Sequence, residues 1–134
     1  MRLTEIKQGR SLKDIDIEVD AQGNFNCNNN RITSLEGAPS SVGGAFYCNN
    51  NQLTSLEGIH LQIKKIGGKF YCIDTRLKSH VLGLLLIKGL TRAELDDTRV
   101  EAVLNKHLPS RGMRDVLEAQ EELIEAGLEE FAQL

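Results

Sequence analysis

The chain has 134 residues, of which 40% are hydrophobic and 26% are charged, and its formal net charge is −3 at pH 7. The length accommodates one domain or a repeat array with a cap. The mild negative charge excludes a chain-wide electrostatic attraction to nucleic acid or to an anionic membrane. The longest apolar run, residues 81–87, is too short to span a bilayer, and residues 1–7 lack the apolar run of a signal peptide. We therefore expect a cytoplasmic protein with no membrane partner.

The first predicted element is a strand over residues 15–20, where apolar and acidic side chains alternate. A period of two places Ile15, Ile17 and Val19 on one side, facing a core, and the acidic side chains on the other. An exposed end of a repeat array leaves its core bare, so a cap is required. We expect this strand to be the N-terminal cap.

A repeat follows this strand. Residues 23–37 (GNFNCNNNRITSLEG) align with residues 44–58 (GAFYCNNNQLTSLEG), and a third copy begins at residues 68–72 (GKFYC) before it decays. In each copy the Phe-x-Cys segment predicts a short strand that directs Phe and Cys to one side and the residue between them to the other. A unit of about 20 residues cannot bury this face alone, so stacked units must share one core.

The repeat resembles the leucine-rich repeat, whose unit is L-x-x-L-x-L-x-x-N-x-L. The matching positions in the two complete copies are Phe25, Cys27, Asn30, Ile32 and Leu35, then Phe46, Cys48, Asn51, Leu53 and Leu56. The short period and the Leu-Thr-Ser-Leu ending are similar to the repeats of bacterial effectors. The Gly-Ala-Pro-Ser-Ser-Val connector and the Asn-Asn-Asn run are similar to repeat proteins encoded by bacteriophages. The resemblance covers residues 15–80 and implies a short β-solenoid, although Gly43 and Gly44 crowd the first leucine position and Thr75 replaces asparagine in the third copy.

The cysteines, Cys27, Cys48 and Cys72, occupy the core positions of the three strands. An odd number of cysteines in a chain without a signal peptide argues against disulfides. Zinc sites usually need ligand pairs two to four residues apart, and these cysteines are far more widely spaced. We therefore expect free, buried thiols and no metal or cofactor.

The asparagines divide into two groups. Asn30 and Asn51 are predicted to be buried and bonded to the backbone across units, because an unpaired buried amide is costly. Asn28 and Asn49 follow the strands and are predicted to be exposed. Turns or close backbone approaches are predicted at Gly37, Gly43, Gly44, Gly58, Gly67 and Gly68.

After the repeats, residues 81–87 form a buried apolar segment, for which we expect a strand at residues 84–87; strand and helix both stay open across residues 81–97. A helix is predicted from Thr98, where Thr-Arg-Val-Glu matches the capping-box pattern, to a point near Pro109. Asp96 and Asp97 are expected to cap this helix.

A second helix is predicted over residues 113–126, with Gly127 as its C-cap and a last apolar patch at residues 128–134. Its apolar side is predicted to contain Met113, Val116, Leu117, Leu123 and Ile124. The many glutamates between residues 118 and 130 are expected to form a solvated face.

Together these elements predict an α+β fold: a short leucine-rich-repeat-like β-solenoid with an N-terminal strand cap and a C-terminal helical cap. The solenoid with its N-terminal cap would span residues 1–90, and the helical cap residues 91–134.

No group of residues has the spacing of a catalytic or phosphate-binding site. His60, His80 and His107 are scattered over connectors and helix ends. His60 and His80 are spaced so that they could stack on adjacent units, but solvated or turn-bonded roles are expected for these two. Bacterial effectors with similar repeats can carry a ubiquitin-ligase domain with a catalytic cysteine, but no cysteine follows residue 90. We therefore predict a chain that is not an enzyme.

The resemblance implies a concave face lined by strand residues that flank the core positions. These are Asn24, Asn26, Asn28, Ala45, Tyr47, Asn49, Lys69, Tyr71 and Ile73. The two tyrosines occupy equivalent places, about 5 Å apart if their strands are neighbours. Exposed tyrosines are typical interface anchors, so we predict a module that binds a protein partner. The bacteriophage resemblance implies a modulator or inhibitor of a bacterial host protein, acting in the host cytoplasm.

Two alternatives stay open. The tyrosines would stack on bases if the partner is a nucleic acid, with phosphate contacts from Lys64, Lys65, Lys69 and Arg76. An open solenoid edge would instead pair with a second copy of the chain and form a homo-oligomer.

Overall fold

A computed structural model describes residues 10–134; residues 1–9, to which the signal-peptide argument applies, lie outside the described residues. The described chain is a mixed α+β structure with small parallel sheets. Its strands are β1 (Phe25–Asn26), β2 (Ser41–Val42), β3 (Phe46–Tyr47), β4 (Lys65–Ile66), β5 (Lys69–Cys72) and β6 (Arg92–Leu95). Its helices are α1 (Ile59–Gln62), α2 (Thr98–His107) and α3 (Met113–Glu125). None of these helices in the described residues has the length and apolar character needed to cross a membrane.

The main sheet is parallel and carries the repeat copies in the strand order β1-β3-β5-β6. Phe25 lies opposite Phe46, and Phe46 lies opposite Phe70, so equivalent positions of the three copies are in register. The phenylalanine rings form a buried row with centroids 5.1 and 5.5 Å apart. The predicted inward direction of Phe and Cys is confirmed, because all three cysteines are fully buried as well. A second parallel sheet pairs β2 with β4.

The predicted strand over residues 15–20 is wrong. This segment pairs with no strand in the described part of the chain; Ile15 and Ile17 are only partly buried, and the Val19 side chain is 41% exposed. Asp20 explains the difference, because it folds back on Asn24: the Asp20 N–H donates to the Asn24 carbonyl at 2.8 Å, and the Asp20 carboxylate accepts the Asn24 N–H at 2.9 Å. These bonds use backbone groups of the edge strand that a neighbouring strand would need.

The predicted strand over residues 84–87 is also wrong, because Leu82–Leu86 is a 3-10 helix. A segment that is buried on nearly all sides lacks the alternation that distinguishes a strand from a helix. Gly83 packs so closely on α1 that an added Cβ would lie 2.9 Å from the Ile59 side chain. The fourth strand of the main sheet is β6, where Ala93 and Leu95 face the core.

The C-terminal helices begin where the sequence predicts and end within two residues of the predicted positions. Gly127 follows α3 with a φ of +78°, a conformation that glycine adopts without strain. Leu128 is buried and Phe131 partly buried, because backbone bonds from His80 and Val81 hold the tail at Glu130 and Phe131.

The predicted apolar side of α3 is only partly correct. The helix packs against α2 and the 82–86 segment through Val116, Ala119 and Leu123, which share one helix face. Ala119, which the predicted apolar side left out, is fully buried and belongs to this contact, so the stripe that meets the core is 116, 119 and 123. Three residues predicted to face inward are exposed: Met113 by 68%, Leu117 by 57% and Ile124 by 49%.

Side chains of α2 close the outer edge of β6. The Asn105 amide accepts the Ala93 N–H at 2.8 Å and donates to the Ala93 carbonyl at 2.9 Å, and the Glu101 carboxylate accepts the Leu95 N–H at 2.8 Å. These bonds satisfy backbone groups that would otherwise be open to a further strand. One cluster of buried apolar side chains joins the sheet to both C-terminal helices. The division of the chain at residue 90 stays a prediction.

Of the two aspartates predicted to cap α2, Asp97 is the N-cap, whereas the Asp96 carboxylate accepts the N–H groups of Asp74 and Thr75. The predicted Thr-Arg-Val-Glu capping box is wrong, because Thr98 lies inside the helix and the Glu101 carboxylate binds the Leu95 N–H.

The Asp97 carboxylate accepts the backbone N–H groups of Arg99 at 3.0 Å and Val100 at 3.3 Å. Burial acts to raise the pKa of Asp97, but the Arg99 side chain and the two N–H groups outweigh it and hold the pKa below the ordinary value of 3.8. Asp97→Ala should lower the free energy of unfolding by about 1 kcal/mol at neutral pH.

The same pKa direction predicts the pH dependence. A carboxyl with a folded-state pKa below its unfolded value contributes its stability above the unfolded pKa and loses it as the pH falls through the folded pKa. In urea denaturation, the difference in the free energy of unfolding between wild type and Asp97→Ala should therefore be largest at neutral pH. This difference should disappear below about pH 4. Asp97→Asn, an equally good cap without a titrating group, should keep most of the stability at neutral pH. If the difference in free energy of unfolding between wild type and Asp97→Ala were the same in acid, the ionised Asp97 carboxylate would not be what stabilises the start of α2.

Candidate binding surface

The outward side of β1, β3 and β5 brings the nine predicted binding residues together in three rows across the sheet. The rows are Asn24, Ala45 and Lys69; Asn26, Tyr47 and Tyr71; and Asn28, Asn49 and Ile73. None of the nine is buried, and Asn26 and Lys69 are exposed. We call these nine residues the tyrosine face.

The middle row carries the most distinctive geometry. Tyr47 and Tyr71 lie opposite each other on β3 and β5, and their rings stack with centroids 4.8 Å apart and planes 1° from parallel. Both rings are partly buried, and among the described residues neither hydroxyl has a hydrogen-bond partner. The pair therefore presents aromatic area and two polar groups from a rigid sheet, at little cost in conformational entropy.

Three asparagines of the face also hold the repeat copies together. The Asn24 side-chain oxygen accepts the Ala45 N–H at 2.8 Å, and that of Asn28 accepts the Asn49 N–H at 2.6 Å. The Asn49 oxygen accepts the Ile73 N–H at 2.8 Å. Asn28 and Asn49 are thus partly buried rather than exposed as predicted, because their oxygens bind the backbone of the next copy. Among the described residues, the side chains of the face that bind no neighbouring backbone therefore include the two tyrosines.

Asn51 and Asn30 were both predicted to be buried and bonded to the backbone across units, and only Asn51 is. Asn51 is buried, and its amide bonds to the backbone of the preceding copy, so its prediction is confirmed. Asn30 is only partly buried, and its amide donates to Asn28 within its own copy. Asn29 and Asn50, between these positions, have left-handed φ values of 61° and 56°. Asparagine tolerates this conformation better than most residues, which accounts for the middle asparagine of each Asn-Asn-Asn run.

Strand β6 extends the face beyond the residues that the sequence predicts. Glu94 lies opposite Tyr71, and Arg92 lies opposite Lys69. The Arg92 guanidinium donates to Glu94 at 2.8 Å and lies 3.6 Å from Glu101, so a charged pair borders the aromatic centre. Sequence reasoning missed both residues because Ala93 replaces the repeat phenylalanine. The only signal was the alternation of small or apolar with charged residues over residues 92–95.

The basic residues of the nucleic-acid alternative are not gathered on this face. Lys69 lies on β5, whereas Lys64 and Lys65 lie at β4 in the second sheet, where Lys65 is bridged to Lys88. Arg76 follows β5 in the connecting segment and is exposed. The tyrosine strands therefore carry one lysine rather than a basic track.

The cysteines and the histidines His60 and His80 are further residues with reactive side chains. The cysteines are free and fully buried, and hydrogen bonds with Cys27 and Cys72 together with burial raise the pKa of the Cys48 thiol well above its ordinary value. Such a thiol stays protonated and unreactive. His60 lies on α1, and His80 bonds through Nδ1 to the Ser79 hydroxyl at 2.9 Å.

A surface groove of about 480 Å³ lies between residues 33–36 and residues 55–62. Its polar lining comes mainly from serine and glutamate, and none of its lining residues belongs to the tyrosine face. Among the described residues that line the groove there is no histidine, cysteine or basic side chain that would assist a reaction. The tyrosine face is therefore the better candidate for recognition.

No protein-family model matches the chain, and neither a curated protein nor a solved structure is significantly similar to it.

Proposed function

We propose that the chain is a short leucine-rich-repeat-like β-solenoid that binds a protein partner through the tyrosine face and catalyses no reaction. The parallel pairing of equivalent repeat positions supports this architecture, because each copy returns the chain to the same place one strand further along. The bridge between Ser11 and Ser34 supports an N-terminal cap. The closure of β6 by Asn105 supports a C-terminal helical cap.

The stacked tyrosines are the observation that carries the proposed function. Tyrosine is enriched at binding hot spots, where it contributes a large contact area and a hydroxyl that pairs with the partner. Tyr47 and Tyr71 are fixed side by side by the register of β3 and β5 and have no polar partner among the described residues. Their geometry is therefore already set for contact before a partner arrives.

The surroundings of the tyrosines favour a protein over a nucleic acid. A phosphate backbone needs several cations along its path, and repulsion from a carboxylate beside that path weakens binding. Here Glu94 lies next to Tyr71 in the same row, and Lys69 and Arg92 are the cations on the neighbouring positions. A rim of mixed charge around an aromatic centre is typical of protein interfaces. From the bacteriophage resemblance we extend the proposal to a modulator or inhibitor of a bacterial host protein, acting in the host cytoplasm.

The experiment is affinity capture from a bacterial lysate, with nuclease treatment in parallel, comparing wild type with Tyr47→Ala/Tyr71→Ala. We expect wild type to retain a specific protein that mass spectrometry identifies. The purified partner should then bind the double variant at least about 30-fold more weakly in calorimetry, since one hot-spot residue alone is worth about 2 kcal/mol.

Leu61→Ala/Leu117→Ala is the control, because it too removes two large side chains from the surface, 67% and 57% exposed, but both lie outside the tyrosine face. This control should bind like wild type, and the thermal unfolding of all three proteins should be compared. A partner that binds the tyrosine variant as tightly as wild type would overturn the proposed site. Capture of nucleic acid alone, lost on nuclease treatment, would favour the nucleic-acid alternative, and retention of the chain itself would favour self-assembly.

A further inference from the structure

The junction of α2 and α3 brings together a histidine and several carboxylates, none of which belongs to the tyrosine face. His107 is the last residue of α2, and its side chain is only 6% exposed. Its Nδ1 lies 2.9 Å from an Asp115 carboxylate oxygen, and its Nε2 lies 2.5 Å from a Glu122 carboxylate oxygen. Asp115 and Glu118 are three residues apart on α3 and therefore project from adjacent positions on the helix.

The donor atoms of three of these side chains converge. One ligand atom from each of His107, Asp115 and Glu118 lies within 4.8 Å of the other two. Ligands of a tetrahedral Zn²⁺, each at about 2.1 Å, lie about 3.4 Å from one another. The Glu118 carboxylate is the group that would have to move towards the other two atoms to reach this separation. Among the described residues Glu118 makes no hydrogen bond or ion pair, and it is exposed, so its carboxylate is free to move.

We propose that His107, Asp115 and Glu118 bind a divalent transition-metal ion such as Zn²⁺, with Nδ1 of the imidazole and one oxygen from each carboxylate as ligands. Imidazole nitrogen together with carboxylate oxygen is a donor set that suits Zn²⁺, Co²⁺ and related ions. On binding, the ion takes the place of the proton that Nδ1 shares with Asp115, and that proton passes to solvent. Three protein ligands leave a coordination position for water.

Glu122 is placed to orient the histidine rather than to bind the ion. Histidine ligands of metals commonly donate their second ring N–H to a carboxylate, which fixes the tautomer and the ring direction. Nε2 of His107 makes this contact with Glu122, and Lys106 in turn pairs with Glu122. Asp115 is held as well, because it accepts the Gly112 N–H at 2.9 Å. The site thus has a supported histidine, a positioned carboxylate and one mobile carboxylate.

The electrostatic setting also favours a cation. Three carboxylates, from Asp115, Glu118 and Glu122, surround the imidazole, whereas Lys106 is the cation paired with them in the described residues. Sequence spacing does not indicate this site, because His107 and Asp115 are eight residues apart and meet only through the turn between two helices.

Titration of the full-length chain with Co²⁺ in visible absorption, followed by displacement with Zn²⁺, tests the site. We expect one Co²⁺ per chain, a visible ligand-field band and no thiolate-to-cobalt charge-transfer band, since the three cysteines are buried elsewhere. Zn²⁺ should abolish the band and raise the melting temperature, because the ion links α2 to α3. An absence of binding, or a spectrum with thiolate ligands in the folded protein, would overturn the proposal.

Variants on the surface of α3 make the test specific. Glu118→Gln should weaken Co²⁺ binding at least about tenfold, and Glu122→Gln should weaken it by about the 10- to 100-fold that is typical of lost orienting carboxylates. Glu121→Gln is the matched control, because it makes the same change at an exposed position on the same helix, and it should bind like wild type. Since Glu118 has no partner in the described residues, its variant should fold normally. Equal Co²⁺ affinities for Glu118→Gln and Glu121→Gln would exclude this site.

Discussion

Replacing Gly67 by alanine should lower the free energy of unfolding by about 3 kcal/mol, at the upper end of the usual cost of overpacking. A Cβ at Gly67 would lie 2.1 Å from the carbonyl oxygen of Gly43, far inside van der Waals contact. The clashing atom belongs to the backbone of the neighbouring repeat copy. The Val42 carbonyl of the same segment accepts the Gly67 N–H at 2.8 Å. Relief of the clash therefore requires the two copies to separate and this bond to lengthen. Urea denaturation followed by circular dichroism measures the loss.

The equivalent glycine of the preceding copy provides the control. In the described part of the chain, nothing lies within 4 Å of a Cβ added at Gly43, and its φ lies outside the left-handed region. Gly43→Ala should therefore change the free energy of unfolding by less than about 0.5 kcal/mol, or stabilise the protein slightly by reducing the entropy of the unfolded chain. Equal destabilisation by the two substitutions would show that the close approach of the copies is not what Gly67 is needed for.

The glycine pairs illustrate what the sequence can predict in this chain. The repeats predict turns with a left-handed φ or a close approach at residues 43–44 and 67–68; a close approach is found at Gly44, Gly67 and Gly68, and the prediction is wrong for Gly43. The Phe-x-Cys pattern locates β1, β3 and β5 with the correct side inward. The tyrosine pair follows from the same pattern, since equal repeat positions on neighbouring strands must be adjacent. Repetition allows contacts between distant parts of the chain to be predicted, because residues at equivalent positions of successive copies become neighbours on adjacent strands.

Outside the repeats, the sequence no longer indicates which distant residues are neighbours. Strand β6 was missed because Ala93 carries no repeat signature, and its place in the sheet depends on pairing with β5 and on closure by Asn105. The face of α3 was misassigned because a helix with apolar residues on two adjacent stripes does not specify which stripe meets the core. Val116 and Met113 are similar in hydrophobic character, yet one is buried and the other is exposed. The cluster at His107 was not predicted either, because its residues lie on two separate helices and come together only when α2 packs against α3.

Asn51→Ala should also lower the free energy of unfolding by about 3 kcal/mol, through lost hydrogen bonds rather than through a clash. The Asn51 oxygen accepts the N–H groups of Asn30 and Ile32, both at 3.0 Å. Its amide nitrogen donates to the carbonyl groups of Cys27 at 3.0 Å and Asn49 at 3.1 Å. Each buried group left without a partner costs about 1–3 kcal/mol, so two or more of them dominate the effect. Chemical denaturation gives the total.

Amide hydrogen exchange locates this effect. The Ile32 N–H should lose much of its protection in Asn51→Ala, because in the wild type Asn51 accepts this N–H in a buried setting. Asn50→Gly is the control: it removes the neighbouring exposed amide, at a φ of 56° where glycine is at no disadvantage, and should change stability by less than about 0.5 kcal/mol. If Asn51→Ala were as stable as Asn50→Gly, or if Ile32 stayed protected, the copies would be held by packing of their apolar core and not by this buried amide. A loss of both the stability and the Ile32 protection would identify Asn51 as the buried polar link between the first two copies, beside the links that Asn24 and Asn28 make on the outward side.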